Sequence, residues 1–213
     1  MDTIPQLIRT MAEPFPAGLL SSDVSIAFSP DQTFERLVTN TGTAHAQSLV
    51  ARLFVILLTI AIVVPVMAVQ RVTASLVAVA ALSWSFVVAI QIGVAIGVIV
   101  SARARRIDLL HALDLWFAGH LPYSLWMLAV AALAANSRVV DPTFLFATAL
   151  VPSAWTAWIV AAFCRRVLGN TPSTARRRAA AHQAVVWVTG LGYAALTSGG
   201  WFQLTGSVSR LLQ

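Results

Sequence analysis

Five long apolar runs alternate with short polar gaps along this chain of 213 residues. At a rise of about 1.5 Å per residue, a helix made from each run can cross a hydrocarbon core about 30 Å thick. Helices satisfy their own backbone polar groups inside lipid, so the pattern predicts an all-α integral membrane bundle of five transmembrane helices. The predicted spans are Leu53–Val69, Val72–Val100, Leu113–Ala135, Phe144–Phe163 and Ala180–Leu204.

The residues before these spans predict a short amphipathic segment on the cytoplasmic side. Residues 1–48 form this segment, and residues 49–213 form the transmembrane domain. The sequence Ser-Pro-Asp-Gln at 29–32 has a serine cap, a proline at the first helical position, an early acid and a capping-box glutamine. It predicts a surface helix near residues 30–38, followed by a turn region at Thr39–Gln47.

The distribution of positive charge predicts the orientation. All fourteen basic residues are arginines. If the chain crosses five times, eleven of them share the side of the N-terminus and three share the other side. The positive-inside rule then places the N-terminus in the cytoplasm and the C-terminus outside. Use of arginine without lysine is typical of GC-rich bacterial genomes, so we expect a multi-pass protein of a bacterial inner membrane.

Two of the gaps between spans are rich in arginine, Ala102–Ile107 and Arg165–Arg178, and we call them the basic gaps. They are candidate contacts for anionic lipids or for an acidic partner. Because their arginines lie at membrane edges, topology and headgroup contacts account for the net charge of +6, and we expect no nucleic-acid binding. The candidate residues are Arg103, Arg105, Arg106, Arg165, Arg166, Arg176, Arg177 and Arg178.

A second candidate site is a polar cluster inside the predicted spans. Asp114 is the acid within them, His111 lies three residues before it, and His120 lies about two turns deeper. One interpretation is a proton or cation relay through these residues, with Gln91 on the neighbouring span. The other is that Asp114 stays near the headgroups, satisfied by His111 or by nearby arginines, namely Arg105, Arg106, Arg165 and Arg166.

We expect no bound cofactor and no metal. The single cysteine, Cys164, excludes a cysteine-based zinc or iron–sulfur site. His120 and His182 are conceivable haem ligands, but by the rise per residue of a helix His120 lies about 10 Å or more deeper than His182. A chain without lysine also has no phosphate-binding glycine–lysine loop.

Small residues and one proline predict where helices approach or bend. Two pairs of small residues at four-residue spacing, in the second and fifth spans, predict close helix contact within the chain, or alternatively a dimer face. A glycine and a proline in the third span predict a kink. The positions are Gly93, Gly97, Gly119, Pro122, Gly190 and Ala194.

Three local patterns carry a family resemblance. They are Ser-Pro-x-x-Thr-aromatic at Ser29–Phe34, an Ala-Leu start followed by proline at Ala112–Pro122, and the arginine-bracketed loop before the last span within Trp158–Ala184. With these patterns the chain resembles the Yip-type family, five-span membrane proteins that include partners of Rab/Ypt GTPases and many bacterial relatives. It lacks the Asp-Leu-Tyr-Gly-Pro-like signature of the eukaryotic members, so the resemblance does not extend to Rab-type interaction.

The resemblance implies a non-enzymatic accessory or scaffold protein that binds other membrane proteins or organises lipid. The expected partners are membrane lipids, including anionic ones, and other membrane proteins or a second copy of the chain. Two alternatives remain from the residues themselves. One is a small transporter, or a transporter's membrane subunit, that uses His111, Asp114 and His120; the other is a lipid-modifying membrane enzyme.

Overall fold

The computed structural model describes residues 19–39, 45–102, 107–136 and 142–197, and all regular elements in these ranges are helices. The all-α prediction is therefore confirmed for this part of the chain. In order, the helices are α1 Leu19–Phe28, α2 Pro30–Val38, α3 His45–Val69, α4 Ala74–Val100, α5 Leu109–Ala118, α6 Leu121–Asn136, α7 Pro142–Arg166 and α8 Pro172–Thr197.

Four stretches are long and apolar enough to cross a membrane: α3, α4, α5 together with α6, and Thr143–Arg166 within α7. They make the chain a candidate multi-pass membrane protein. Among the described residues α8 is not such a stretch, since it carries three arginines, His182 and Gln183 in its first half. The fifth predicted span extends to Leu204, beyond the described ranges, so the five-span count stays a prediction.

The helices pack as two antiparallel pairs around a central span. α3 pairs with α4, α7 pairs with α8, and α5 with α6 lies between α3 and α7. The first two spans form a tight hairpin, which turns at Gln70, whose φ is 54°. That left-handed backbone is uncommon for a residue with a side chain. The Gln70 amide compensates by donating to the carbonyl of Ala134 on α6, at 3.3 Å.

We call the end at which α3, α5 and α8 begin, and α4 and α7 end, the basic end. Arg178 in α8 donates to the carbonyls of Val98 (2.8 Å) and Ser101 (3.1 Å), at the end of α4. Arg165 at the end of α7 donates to Asp31 of α2, at 2.7 Å. The described parts of the N-terminal segment and of both basic gaps therefore meet at one end, as the arginine distribution predicts.

The predicted kink in the third span is confirmed as a break between α5 and α6 at Gly119 and His120. Pro122 lies in the first turn of α6, where a backbone N–H would have no acceptor within the helix. The proline therefore costs the helix no hydrogen bond. A Cβ at Gly119 would lie only 2.9 Å from Cγ2 of Ile159 on α7. The glycine therefore allows the break to pack directly against α7.

The other predicted packing glycines have no such role within the described chain. A Cβ at Gly93, Gly97 or Gly190 would meet nothing within 4 Å. The face that α4 buries instead carries Ala95 and Ile99, which corrects the expectation of close helix contact at the glycines. The side chain of Ala194 lies outside the described residues, and the dimer-face alternative stays a prediction.

The N-terminal helices differ from the predicted pattern at their boundaries. α2 forms as predicted, but Ser29 makes no side-chain cap bond. Its own N–H donates to the carbonyl of Ser25 at 2.9 Å, so the reciprocal bond of a capping box is not available to Gln32. The predicted turn through Gln47 is wrong in its last residues, because α3 begins at His45. That early start brings a polar helical turn into the site described below.

Candidate functional site

Arg52 of α3 joins three helices inside the basic end of the bundle. Its guanidinium donates to Asp23 of α1, from Nη2 at 2.7 Å and from Nε at 3.0 Å. Its Nη1 donates to a carboxylate oxygen of Asp114 on α5 and to the Asp114 carbonyl. Arg52 is 5% exposed, Asp23 8% and Asp114 4%. Charges this deeply buried persist only when they are paired and hydrogen-bonded, as these are.

Two serines complete the bonding of the guanidinium. Ser48, one turn before Arg52 on α3, accepts from Nη1 at 2.8 Å, and Ser22 of α1 accepts from Nη2 at 3.1 Å. The planar fork of an arginine has five N–H donors, which suits it to hold two carboxylates and two hydroxyls at once. α1, α3 and α5 are thus held together by one side chain.

Two histidines lie on the side of Asp114 that faces away from Arg52. Nδ1 of His45 lies 3.3 Å from the second Asp114 carboxylate oxygen, and the His45 ring stacks on His111 with centroids 3.7 Å apart. Asp114 is therefore satisfied near the basic end, but its partners are Arg52 and His45 rather than His111 or the gap arginines predicted from sequence. His111 makes no hydrogen bond to Asp114 within the described chain; its ring stacks on His45, which contacts Asp114. We call Ser22, Asp23, His45, Ser48, Arg52, His111 and Asp114 the arginine network.

The cap of α5 fixes the position of His111. Oδ1 of Asp108 accepts from the backbone N–H of His111 at 2.8 Å, as a helix cap does. This backbone bond lowers the pKa of Asp108, against a smaller opposing effect of burial. The cap carboxylate is thus held in the charged form that stabilises the helix start.

A second polar group lies deeper in the bundle. His182 of α8 contacts Oε1 of Gln91 on α4 through Nε2, at 3.3 Å. His120 contacts the Trp116 carbonyl through Nδ1, at 3.2 Å. The two histidine rings meet edge to face, with centroids 6.3 Å apart. We call Gln91, His120 and His182 the histidine pair site.

The contact between these rings shows that the predicted difference in depth is wrong. The apolar run starts at Ala180, but α8 begins at Pro172. His182 is therefore ten residues into its helix and His120 is eleven residues past the start of α5, which puts both about 15 Å from the basic end. Both helices begin before their apolar runs, α8 by eight residues and α5 by four, so a count from the runs underestimates the depth of His182 more than that of His120.

The structure separates the residues of the predicted relay into two groups. His111 and Asp114 belong to the arginine network, whereas His120 and Gln91 belong to the histidine pair site. His120 Nε2 and His182 Nδ1 are buried and have no hydrogen-bond partner among the described residues. Within the same ranges, no group of three or more His, Cys, Asp or Glu side chains is arranged to hold a metal.

The candidate arginines have different environments. Arg165 and Arg166 hold Asp31 at 2.7 and 2.9 Å. Partial burial raises the pKa of Asp31, but the bonds from both arginines outweigh it, so the pKa lies below its usual range. Arg178 caps α4, while Arg176 and Arg177 are exposed and form no ion pair with described residues. Arg103, Arg105 and Arg106 lie outside the described residues.

Sequence reasoning missed Asp23, His45 and Arg52 as site residues. In the sequence, Arg52 directly precedes the first apolar run and therefore indicates only topology. One signal was present: Ser48 and Arg52 are a single turn apart, so they share a helix face with each other and nearly with His45. Asp23 gave no local signal, since it meets Arg52 only through the fold.

Comparison of the chain with protein-family models, with curated proteins and with solved structures gave no match. The Yip-type resemblance therefore stays an expectation, and function has to be argued from the residues and contacts above.

Proposed function

We propose that the protein is a non-enzymatic accessory protein of a bacterial inner membrane, with five spans and a cytoplasmic basic end. In this proposal it binds an acidic membrane component, either anionic lipid headgroups or an acidic segment of another membrane protein. The four long apolar helices and the gathering of arginines at one end support the placement.

The observation that carries the proposal is the pairing of Asp114. A carboxylate that moves protons or cations across a membrane has to exchange partners during the cycle. Asp114 is instead held by Arg52 and His45, and Arg52 is held in turn by Asp23. This network supports a structural role, in which buried charges keep α1, α3 and α5 in one arrangement.

The surface chemistry of the basic end then becomes the functional candidate. Arg176 and Arg177 are consecutive exposed arginines near the start of α8. The neighbouring Arg165, Arg166 and Arg178 already have partners within the chain. A guanidinium without an internal acid favours a phosphate or carboxylate of another molecule.

Co-purification from the native membrane in mild detergent tests the proposal, with mass spectrometry of retained proteins and lipids. The test variant is R176Q/R177Q, and R71Q is the matched control, an exposed arginine at the opposite end. We expect a retained acidic protein or anionic lipid in the wild type and the control, and a loss of at least several-fold in the double variant. Equal retention in all three proteins would overturn the proposal, and the identity of the retained species decides between the two kinds of component.

A second candidate function, a small transporter, is favoured by the histidine pair site. Two imidazoles, each with a buried nitrogen that has no partner among the described residues, could accept a proton or a small cation inside the bundle. Proteoliposomes loaded with a pH-sensitive dye would test this, by comparing H182A with D114N. Transport through the pair site predicts a proton flux that H182A abolishes and D114N leaves largely intact, and absence of flux in the wild type argues against this candidate.

A further inference from the structure

The outward face of α1 is apolar. Leu20, Val24 and Phe28 are 70%, 45% and 66% exposed, and their four-residue spacing puts them on one stripe of the helix. The opposite face is buried through Asp23, Ile26 and Ala27. Asp23 is the one ionisable residue of α1, and it points inward to Arg52. The helix therefore presents no charge to its outer surroundings.

The contacts of α1 place it below the basic end rather than on top of it. Asp23 reaches Arg52, which is seven residues into α3 and so about 10 Å below that end. The carbonyl of Ala27 accepts from the indole of Trp155 at 2.7 Å, and Trp155 is eleven residues, about 16 Å, from the end of α7. Phe28 packs on the same indole, with ring centroids 5.5 Å apart.

A groove of about 400 Å³ runs between α1 and α2 and continues the apolar stripe. Val24 and Phe28 line its apolar part, and Gln32 and Arg36 line its other part on α2. Arg36 is exposed and makes no ion pair with the described residues. α2 itself is fixed at the basic end by Asp31 and by Phe34, which packs edge to face on Phe163. The groove therefore leads from an apolar surface to a cation at the basic end.

We propose that α1 is embedded in the cytoplasmic leaflet and that the groove between α1 and α2 holds a phospholipid, with acyl chain along Leu20, Val24 and Phe28 and phosphate at Arg36. Measured from the predicted first and fourth spans, the contacts of α1 lie between the start of the hydrocarbon at Arg52 and about 12 Å inside it at Trp155, a range that includes the depth of about 5–10 Å to which an interfacial helix buries its apolar face. Along the groove, the apolar stripe is followed by the cation at the basic end. In a phospholipid, the acyl chain is followed in the same way by the phosphate. The inference rests on the membrane placement proposed above and not on partner binding at α8.

The position of α1 can be measured with spin labels in nanodiscs of phosphatidylcholine and phosphatidylglycerol in equal amounts. Single cysteines at Leu20, Val24 and Phe28 are introduced into a C164A background. L82C is the lipid control, since Leu82 is 80% exposed on α4. E35C on α2 is the aqueous control. We expect the three α1 labels to collide more with oxygen than with an aqueous nickel chelate, as at Leu82, and the reverse order at Glu35.

The outcomes separate this inference from the proposal on which it rests. Water-like collision ratios at all three α1 positions, with a lipid-like ratio at Leu82, would overturn the embedding of α1 alone. A water-like ratio at Leu82 would overturn the membrane placement as well. An exposed apolar stripe that binds another protein instead of lipid would give low collision rates with both reagents, and this result also contradicts the proposal.

The phospholipid in the groove has its own test by native mass spectrometry of protein released from the same nanodiscs. R36Q is compared with R71Q, so both variants lose one exposed arginine. We expect at least a threefold loss of bound phosphatidylglycerol in R36Q and none in R71Q. Equal retention in the two variants would exclude Arg36 as the phosphate contact.

Discussion

Arg52 contacts two buried carboxylates, so its loss leaves both without their main partner. We expect R52M to lower the free energy of unfolding by roughly 3–5 kcal/mol, the usual cost of breaking a buried ion pair from one side. R52K should lose less, because it keeps the charge but not the planar fork that reaches both acids. Thermal unfolding of the purified protein in mild detergent measures the change.

R71M is the matched control for Arg52, since Arg71 follows the same helix but is exposed in the hairpin loop. Its unfolding temperature should stay within error of the wild type. If R52M and R71M behave alike, the ion pairs of the arginine network do not hold the fold together.

At Gly119, a single methyl group decides whether the break in the third span can pack on α7. G119A places a Cβ 2.9 Å from Cγ2 of Ile159, a β-branched side chain that has little freedom to move. We expect a loss of roughly 1–3 kcal/mol in the free energy of unfolding, as for other overpacked positions. The same thermal assay in detergent measures it.

Two variants make the Gly119 result specific. G97A on α4 should be neutral or slightly stabilising, because nothing lies within 4 Å of the added Cβ and alanine favours a helix. I159A should partly rescue G119A by removing the opposing methyl group. Without such rescue, the loss comes from somewhere other than this contact.

At the scale of elements, α2 is docked on the end of α7 by Asp31 between Arg165 and Arg166. The pKa of Asp31 is below its usual range in the folded protein, so its charged form stabilises docking. This contribution is complete above the ordinary aspartate pKa, about 3.9, and is lost as pH falls through the lowered value. Amide hydrogen exchange of α2, corrected for intrinsic rates, should therefore show protection that decreases on acidification.

D31N removes that pH dependence and should reduce protection at neutral pH by about 1 kcal/mol or less, since the pair is partly exposed. E35Q is the control on the same helix, because Glu35 is more exposed and contacts Arg166 only at 3.4 Å. Unchanged pH dependence in D31N would show that other groups hold α2 in place.

Helix ends were the elements that sequence could not locate. Apolar runs mark where a helix meets hydrocarbon, but α3 and α8 begin about eight residues before their runs, at His45 and Pro172. Those polar turns carry His45 and bring His182 level with His120. The missed role of His45 and the wrong depth of His182 therefore have a single physical origin: hydropathy does not report helix outside the hydrocarbon.

For the whole molecule, the class of fold could be predicted because hydropathy and arginine distribution act over entire spans. The arginine network could not be predicted, because Asp23, Arg52 and Asp114 are 29 and 62 residues apart and meet only after the helices pack. The same limit applies to α1. Its composition does not say whether it faces water or lipid, and its depth follows only from the contacts with Arg52 and Trp155.

The orientation of the whole chain gives the last prediction. In a C164A background, we expect R71C to react with a membrane-impermeant thiol reagent in intact cells, and R176C to react only after the membrane is permeabilised. A protease-sensitive tag after Gln213 should be accessible from outside if α8 and the following residues complete a fifth span. A tag protected together with R176C would mean that the chain returns to the cytoplasmic side and crosses only four times. That result would leave the basic end intact but would make His182 and Gln183 part of a re-entrant helix rather than of a fifth span.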